Sequence, residues 1–226
     1  MNAVPPVVDR ETWQQQLDEL RIREKAATRE LDAIAAQRRR LPAVQLPEYR
    51  LTAEDGSTVT LAEVFDGRSQ LITYHHMWTD GNEWQCGGCT GVTAHYARLD
   101  FLENWDARMV VITNGPIDEV LAYKKKLGNT MTWYSTAGSS FGADMGASPG
   151  GGFAYNTFVR DGDTVYHQWQ TFSRGAEQVS YTFGLLDVLP YGRQEVWQDA
   201  PDGWPQDPTY ARWASSKQMA DWYGSA

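Results

Sequence analysis

Gln70-Leu71-Ile72-Thr73-Tyr74-His75-His76-Met77 leads through a polar loop, Thr79 to Gln85, into Cys86-Gly87-Gly88-Cys89. The first stretch is a short apolar run of the kind a buried central strand shows. The cysteine pair follows it and opens a segment, Thr90 to Asn104, that reads as a helix with Val92, Tyr96, Leu99, Phe101 and Leu102 on its buried side. Met109 to Thr113 is a second buried strand. Pro116 starts the next helix, which runs to Leu127 with Gly128 as its cap. Met131 to Ser135 is a short strand, and the Gly- and Ser-rich residues 136 to 152 are expected as a loop. Phe153 to Val159 and Thr164 to Gln170 form a hairpin about Asp161-Gly162, and Ala176 to Leu189 is the last core helix. Strand, helix, strand, helix, strand, hairpin and helix in that order specify an open α/β sheet with antiparallel strands at one edge. Such sheets place their sites at the carboxyl ends of the parallel strands, where Cys86 and Cys89 fall.

Outward from this block, Tyr49 to Leu61 reads as a hairpin turning at Asp55-Gly56, and Leu61 to Phe65 as a short helical turn. Residues 9 to 40 read as one long helix. Asp9 caps it, and Trp13, Leu17, Leu20, Ala27, Leu31 and Ile34 draw a near-heptad apolar stripe along it. A lone amphipathic helix is marginal in water, so this stripe is expected to pack on the core domain or on a second copy, giving a homodimer through the N-terminal helix. Arg38-Arg39-Arg40 and Leu41-Pro42 end it. From Tyr191 a tail carries Trp197, Trp204, Trp213 and Trp222 among prolines and charges, and is expected to wrap the domain surface. The organisation is then residues 1–48 as helix and linker, 49–190 as the α/β domain, and 191–226 as the tail packed on it.

The 226 residues, 42% hydrophobic and 22% charged, suit one globular domain with appendages. A net charge of −9 argues against nucleic acid and against an anionic membrane surface as partners. No apolar run approaches the roughly 20 residues of a membrane span. The first residues lack a basic flank followed by an apolar stretch, so no secretory signal is expected and the expected compartment is the cytoplasm, where thiols rest reduced. Two cysteines can form neither a disulfide scaffold nor a four-cysteine zinc site.

A close pair at a helix start reads first as redox-active. The helix N-terminus favours a thiolate, so Cys86 is the expected attacking residue and Cys89 the resolving one. Trp78 and Trp84 could oppose this by burying the sulfur. The expected function is a thiol–disulfide oxidoreductase or thiol peroxidase that needs no bound organic cofactor and is regenerated by a reductant thiol or a reductase. The first alternative is a copper or zinc site built from Cys86, Cys89 and a histidine, His75 or His167, with Met77 as a further soft ligand. His75 and His76 must face opposite sides of a strand, so at most one points at the sulfurs; His95 lies deeper along the cysteine helix. The second alternative is a non-catalytic interaction module. Asp144, with Met145, is placed in the glycine-rich loop and could tune a thiol. Gly150-Gly151-Gly152 lacks the following Lys-Ser/Thr of a phosphate loop.

Several stretches carry a family resemblance: Glu24-Lys25 through Arg38-Arg39-Arg40-Leu41-Pro42, Val64-Phe65-Asp66-Gly67-Arg68-Ser69-Gln70-Leu71-Ile72, Tyr74-His75-His76-Met77, the Cys86 to Cys89 segment, Ala122-Tyr123-Lys124, and Gly192-Arg193-Gln194-Glu195. Together they resemble the thioredoxin-like proteins catalogued as domain of unknown function 899, over residues 10 to 200. The resemblance implies a thioredoxin-like open sheet, related in outline to the peroxiredoxins, with a long N-terminal helix and an irregular C-terminal tail. It implies no settled reaction. Two features depart from a thioredoxin proper. Gly-Gly stands in the spacer where Gly-Pro is usual, and Gly152 precedes Phe153 where a cis-proline is usual, the nearest proline being Pro149.

Overall fold

The computed structural model describes residues 4–96, 98–147 and 152–224. Helix α1 (Arg10–Arg38) begins where the Asp9 carboxylate accepts the Thr12 N–H at 2.8 Å. Its stripe is not covered: α1 has no buried residue, and Trp13, Leu20 and Leu31 are 44%, 47% and 54% exposed. The expectation of packing on the core is corrected here. Spacing aligns the apolar side chains on one face, but one such residue per turn is a narrow seam beside the broad stripe of a core-facing helix. The helix end meets the domain, where the Arg38 guanidinium lies over the Trp169 ring at 5.1 Å and reaches the Gln178 side chain at 3.4 Å.

Strand β1 (Val44–Gln45) is followed by the hairpin β2 (Arg50–Thr52) and β3 (Thr58–Thr60), which turns at Gly56 with φ +81°. Thr60 and Glu63 form a capping box that starts α2 (Leu61–Val64). The central strand β4 (Gln70–His76) leads to α3 (Gly87–Ala94), then β5 (Ala107–Thr113), α4 (Ile117–Leu127) and β6 (Trp133–Ser135). After α5 (Phe141–Asp144) come the hairpin β7 (Ala154–Asp161) and β8 (Thr164–Thr171), α6 (Tyr181–Asp187) and α7 (Ser216–Tyr223).

The eight strands form one sheet in the order β1-β8-β7-β4-β5-β6-β2-β3. Strands β4 and β5 run parallel from Gln70↔Ala107 to His76↔Thr113, and β7 lies antiparallel to β4 on its other side. A βαβ unit joined in the middle to a ββα unit, in the order β8-β7-β4-β5, is the thioredoxin arrangement; β6, the first hairpin and β1 widen its edges. Alternation along the strands divides the core in two. One face packs Leu51, Leu61, Phe65, Leu71, Val110, Ile112 and Phe158. The other packs Tyr74, Cys89, Met109, Val111, Trp133 and Tyr155. Among the described residues no helix is long and apolar enough to cross a membrane.

Three element boundaries differ from the sequence reading. The helix expected over 90–104 is two turns long and stops at His95, and Asp100–Trp105 is a separate 3-10 turn that leaves Phe101 71% exposed. Gly87, Gly88 and Gly91 beside Thr90, Val92 and Thr93 supply little helix propensity, which limits its length. The helix expected over 176–189 is broken by the extended backbone of Ser180 into a 3-10 turn, Ser173–Val179, and α6. The loop expected over 136–152 contains α5.

Candidate active site

Cys86 occupies the N-cap of α3, with φ −52° and ψ 118°, and is half-buried; Cys89 is one turn in and 1% exposed. Both are free thiols. The Cys89 thiol donates to the Cys86 sulfur, which also accepts the backbone N–H groups of Cys89 and Gly88. These donors favour the thiolate against the opposing effect of burial, and pull Cys86 down to about 6. Burial, and then the neighbouring Cys86, push Cys89 well above the usual thiol range, although the Tyr74 hydroxyl and the Met77 N–H both reach its sulfur. The pair is thus asymmetric: its surroundings bias the half-buried Cys86 toward the thiolate and the buried Cys89 toward keeping its proton.

The rest of the wall is aromatic. Alternation along β4 places Tyr74 and His76 on the cysteine face. Tyr74 packs on Tyr155 with ring centroids 4.7 Å apart. His76 sits among Trp78, Tyr123 and Trp133 at 6.4, 6.2 and 5.1 Å. Its Nδ1 is 2.7 Å from the Met77 carbonyl, which requires the proton there, and burial holds the ring neutral with a pKa of about 4. The Nε2 of His76 and the Nε1 of Trp78 are buried without a hydrogen-bond partner. The Thr90 and Tyr123 hydroxyls, 2.6 Å apart, tie α3 to α4. Trp84 packs against Tyr223 at 6.4 Å and carries Lys126 over its ring at 4.4 Å.

The sheet separates the other expected candidates from the sulfurs. His75 follows Leu71 and Thr73 onto the far face, where its ring packs against Gly142, and burial holds it neutral as well. His167 stacks on Phe158 of that same face at 5.1 Å, with Nε2 3.1 Å from the Trp169 carbonyl. The set Cys86, Cys89, His75 and His167 is thus split across two faces. Among the described residues no three His, Cys, Asp or Glu side chains are grouped to hold a metal ion. Strand alternation required one histidine on the cysteine side; it is His76, and its free nitrogen looks into rings. His95 caps the end of α3 and contacts the Thr182 hydroxyl at 2.6 Å. Asp144 accepts hydrogen bonds from Tyr49 and Ser140 at 2.8 and 2.7 Å and is held below the usual carboxylate range by them, while Met145 is buried in the far core. Neither adjoins the cysteines. Pro149, Gly150 and Gly151 lie outside the described residues.

The sequence reading missed the part the tail plays. Trp213 and Ala214 lie directly on the spacer of the cysteine motif. A Cβ on Gly87 would collide with the Ala214 carbonyl oxygen, and a Cβ on Gly88 would fall within the Trp213 ring. A buried polar network fastens the tail. Arg193 pairs with Glu177, which is 8% exposed, and with Asp187 at 2.6 Å. The Tyr210 hydroxyl donates to Glu177 at 2.9 Å, and the Tyr210 N–H to Glu195 at 2.7 Å. Arg174 lies over the Trp197 ring at 3.4 Å. The available signal was the pair of glycines itself, whose missing side chains mark a close approach of other chain.

The family model described as "Bacterial protein of unknown function (DUF899)" matches residues 2–223. No curated protein matches. Among solved structures the chain is similar to a peroxidoxin of Mycobacterium tuberculosis, at 16% identity and TM-score 0.45, covering 59% of this chain and 86% of that one. It is similar to a Bacteroides thetaiotaomicron protein provisionally described as a disulfide isomerase, at 19% and 0.46, covering 64% and 91%. It is also similar to peroxiredoxin Q of Xanthomonas campestris, at 14% and 0.45, covering 62% and 90%. With the family model spanning nearly its whole length, the chain belongs to the DUF899 family of bacterial proteins of unknown function.

Proposed function

We propose that this protein is a thiol-dependent oxidoreductase in which Cys86 attacks an oxidised acceptor and Cys89 resolves the product. The observation that carries this reading is the asymmetry of the pair: a half-buried cysteine whose sulfur accepts from three donors, beside a buried thiol that keeps its proton. The Cys86 thiolate attacks a peroxide oxygen or a disulfide sulfur. The Cys89 thiol then displaces the leaving group from Cys86 and closes an intramolecular disulfide, which an external thiol reduces. The Tyr74 hydroxyl keeps its own proton and hydrogen-bonds the Cys89 sulfur, which would stabilise the thiolate that Cys89 forms as it attacks Cys86.

Alkylation by iodoacetamide tests the first step. The rate at Cys86 should fall to half near pH 6, because the thiolate is present above its pKa and is lost as pH drops through it. Cys86→Ser should abolish turnover, and Cys89→Ser should stop the cycle at a sulfenic acid or mixed disulfide on Cys86, read by intact mass. An alkylation midpoint at the free-cysteine value of about 8.5, with both thiols equally slow, would refute the assignment.

A further inference from the structure

The contact between the tail and the cysteine spacer bears on what can reach the sulfurs. Tyr210 and Trp213 stack with centroids 4.5 Å apart, and Phe183 lies 6.2 Å from Trp213. These rings, with Tyr74, Phe153 and Tyr155, surround Cys89 and leave a cavity of only about 10 Å³, the space of a single water-sized molecule. The segment is anchored on both sides. Upstream is the network of Arg193, Glu177 and Glu195; downstream, Ser215 and Gln218 form the capping box of α7, and Met219 is 2% exposed. Trp213 also donates its N–H to the Tyr210 carbonyl at 3.1 Å, so the strap holds its own shape. Of the two cysteines, Cys86 is half-buried and Cys89 buried.

We infer that the segment Tyr210–Tyr223 is the specificity element of the site: seated on Gly87 and Gly88, it denies the cysteine pair to protein disulfides and leaves it to small hydroperoxides. The inference rests on the redox reading above. A protein disulfide presents its sulfur with a polypeptide on each side. In-line attack by Cys86 brings one of those chains across the first turn of α3, where the tail backbone and the Trp213 ring already lie against bare glycine. A hydroperoxide carries no such chain. The Cys86 thiolate takes its terminal oxygen: an S–O bond forms, the O–O bond breaks, and the alcohol or water leaves with a proton. The Cys89 thiol then attacks the Cys86 sulfur, an S–S bond forms, and water departs. A small dithiol returns two electrons and two protons through thiol–disulfide exchange and is itself oxidised to its disulfide. Reduction is subject to the same size limit, so the reductant is small too.

Two readouts on the full chain test this. The first needs no turnover: reduced protein is alkylated with N-ethylmaleimide or with a maleimide carrying a polyethylene glycol chain. The second is turnover with hydrogen peroxide or with insulin disulfides, dithiothreitol being the reductant. The wild type should take N-ethylmaleimide and consume hydrogen peroxide, and should lag with both bulky probes. Trp213→Ala should raise the ratio of bulky to small rates by about tenfold or more, the scale of discrimination a pocket wall commonly provides. Gly88→Ala, which displaces the same ring from below, should shift the ratio in the same direction and answers the question if the first variant fails to fold. Equal wild-type rates with bulky and small probes, or an unchanged ratio in folded variants, overturn the tail's role. Intact size selection in alkylation, with no Cys86–Cys89 disulfide formed under peroxide, overturns the redox reading instead and with it the assignment of hydroperoxides.

Discussion

Helix α1 runs for 29 residues with a capped start and regular geometry, and buries none of them. The segment from Tyr191 to Gly224 has one helix, at its end, and holds Gly192, Gln194 and Tyr210 in the left-handed region at φ +59°, +58° and +65°. Yet it buries Glu195 and Met219 and lies on the cysteine motif. Regularity in the first comes from local propensity, which needs no partner to set the pattern. Position in the second comes from contacts with distant residues, which override the lack of any repeating conformation. The less regular appendage is the one joined to the site.

The largest expected effect separates the two ends by charge. Arg193→Ala leaves the buried Glu177 only the longer contact to Arg174 at 3.7 Å and the Tyr210 hydroxyl, and should cost up to about 3–5 kcal/mol in urea unfolding. Arg21→Ala breaks a solvent-exposed pair with Asp18 in α1 and should cost under about 1 kcal/mol. Similar losses at both sites would break the comparison. Next comes the glycine contact. Gly88→Ala should destabilise by about 1–3 kcal/mol through overpacking against Trp213. Gly91→Ala, on the same helix with nothing within 4 Å of its new methyl, should be neutral or should stabilise by up to about 1 kcal/mol.

A smaller effect is expected from the helix start. Asp9→Ala should cost α1 about 1 kcal/mol, read as lower helicity by circular dichroism with the core unfolding transition unmoved. Smallest of all, deleting residues 1–40 should shift the thermal midpoint of the remaining chain by no more than about 2–4 °C. A larger drop that depends on protein concentration would mean that the stripe from Trp13 to Ile34 is covered by a second copy. The contrast between the two ends would then belong to the isolated chain alone.

The thioredoxin-like core was legible because its signals are local. The apolar run from Leu71 to His76, the turns at Gly56 and Gly162 and the cap at Gly128 each specify their own element, and the order of elements then restricts the sheet. The cysteine pair was legible for the same reason, as it sits between a strand and a helix. Which histidine faces it was not, because alternation separates His75 from His76 without saying which face of the sheet α3 will cover. The tail was illegible as a site component because its role is a contact between residues 87–88 and 213–214. No periodicity spans such a distance, and a glycine shows in sequence only that something comes close, never what.

The spacing of those partners along the chain also sets an order of events during synthesis. A ribosome emits β4, the cysteines and α3 long before Trp213. Until residues 210–214 emerge, Gly87 and Gly88 have nothing of the tail against them and Cys89 lacks one wall of its enclosure. Covering Cys89 therefore follows formation of the central strand and α3, and is completed when Tyr210 reaches Glu177 and Trp213 settles on Gly88. Nascent chains, and any chain cut before Pro208, carry the two thiols without this cover. On the redox reading proposed above, these are the forms most open to crosslinking through Cys89.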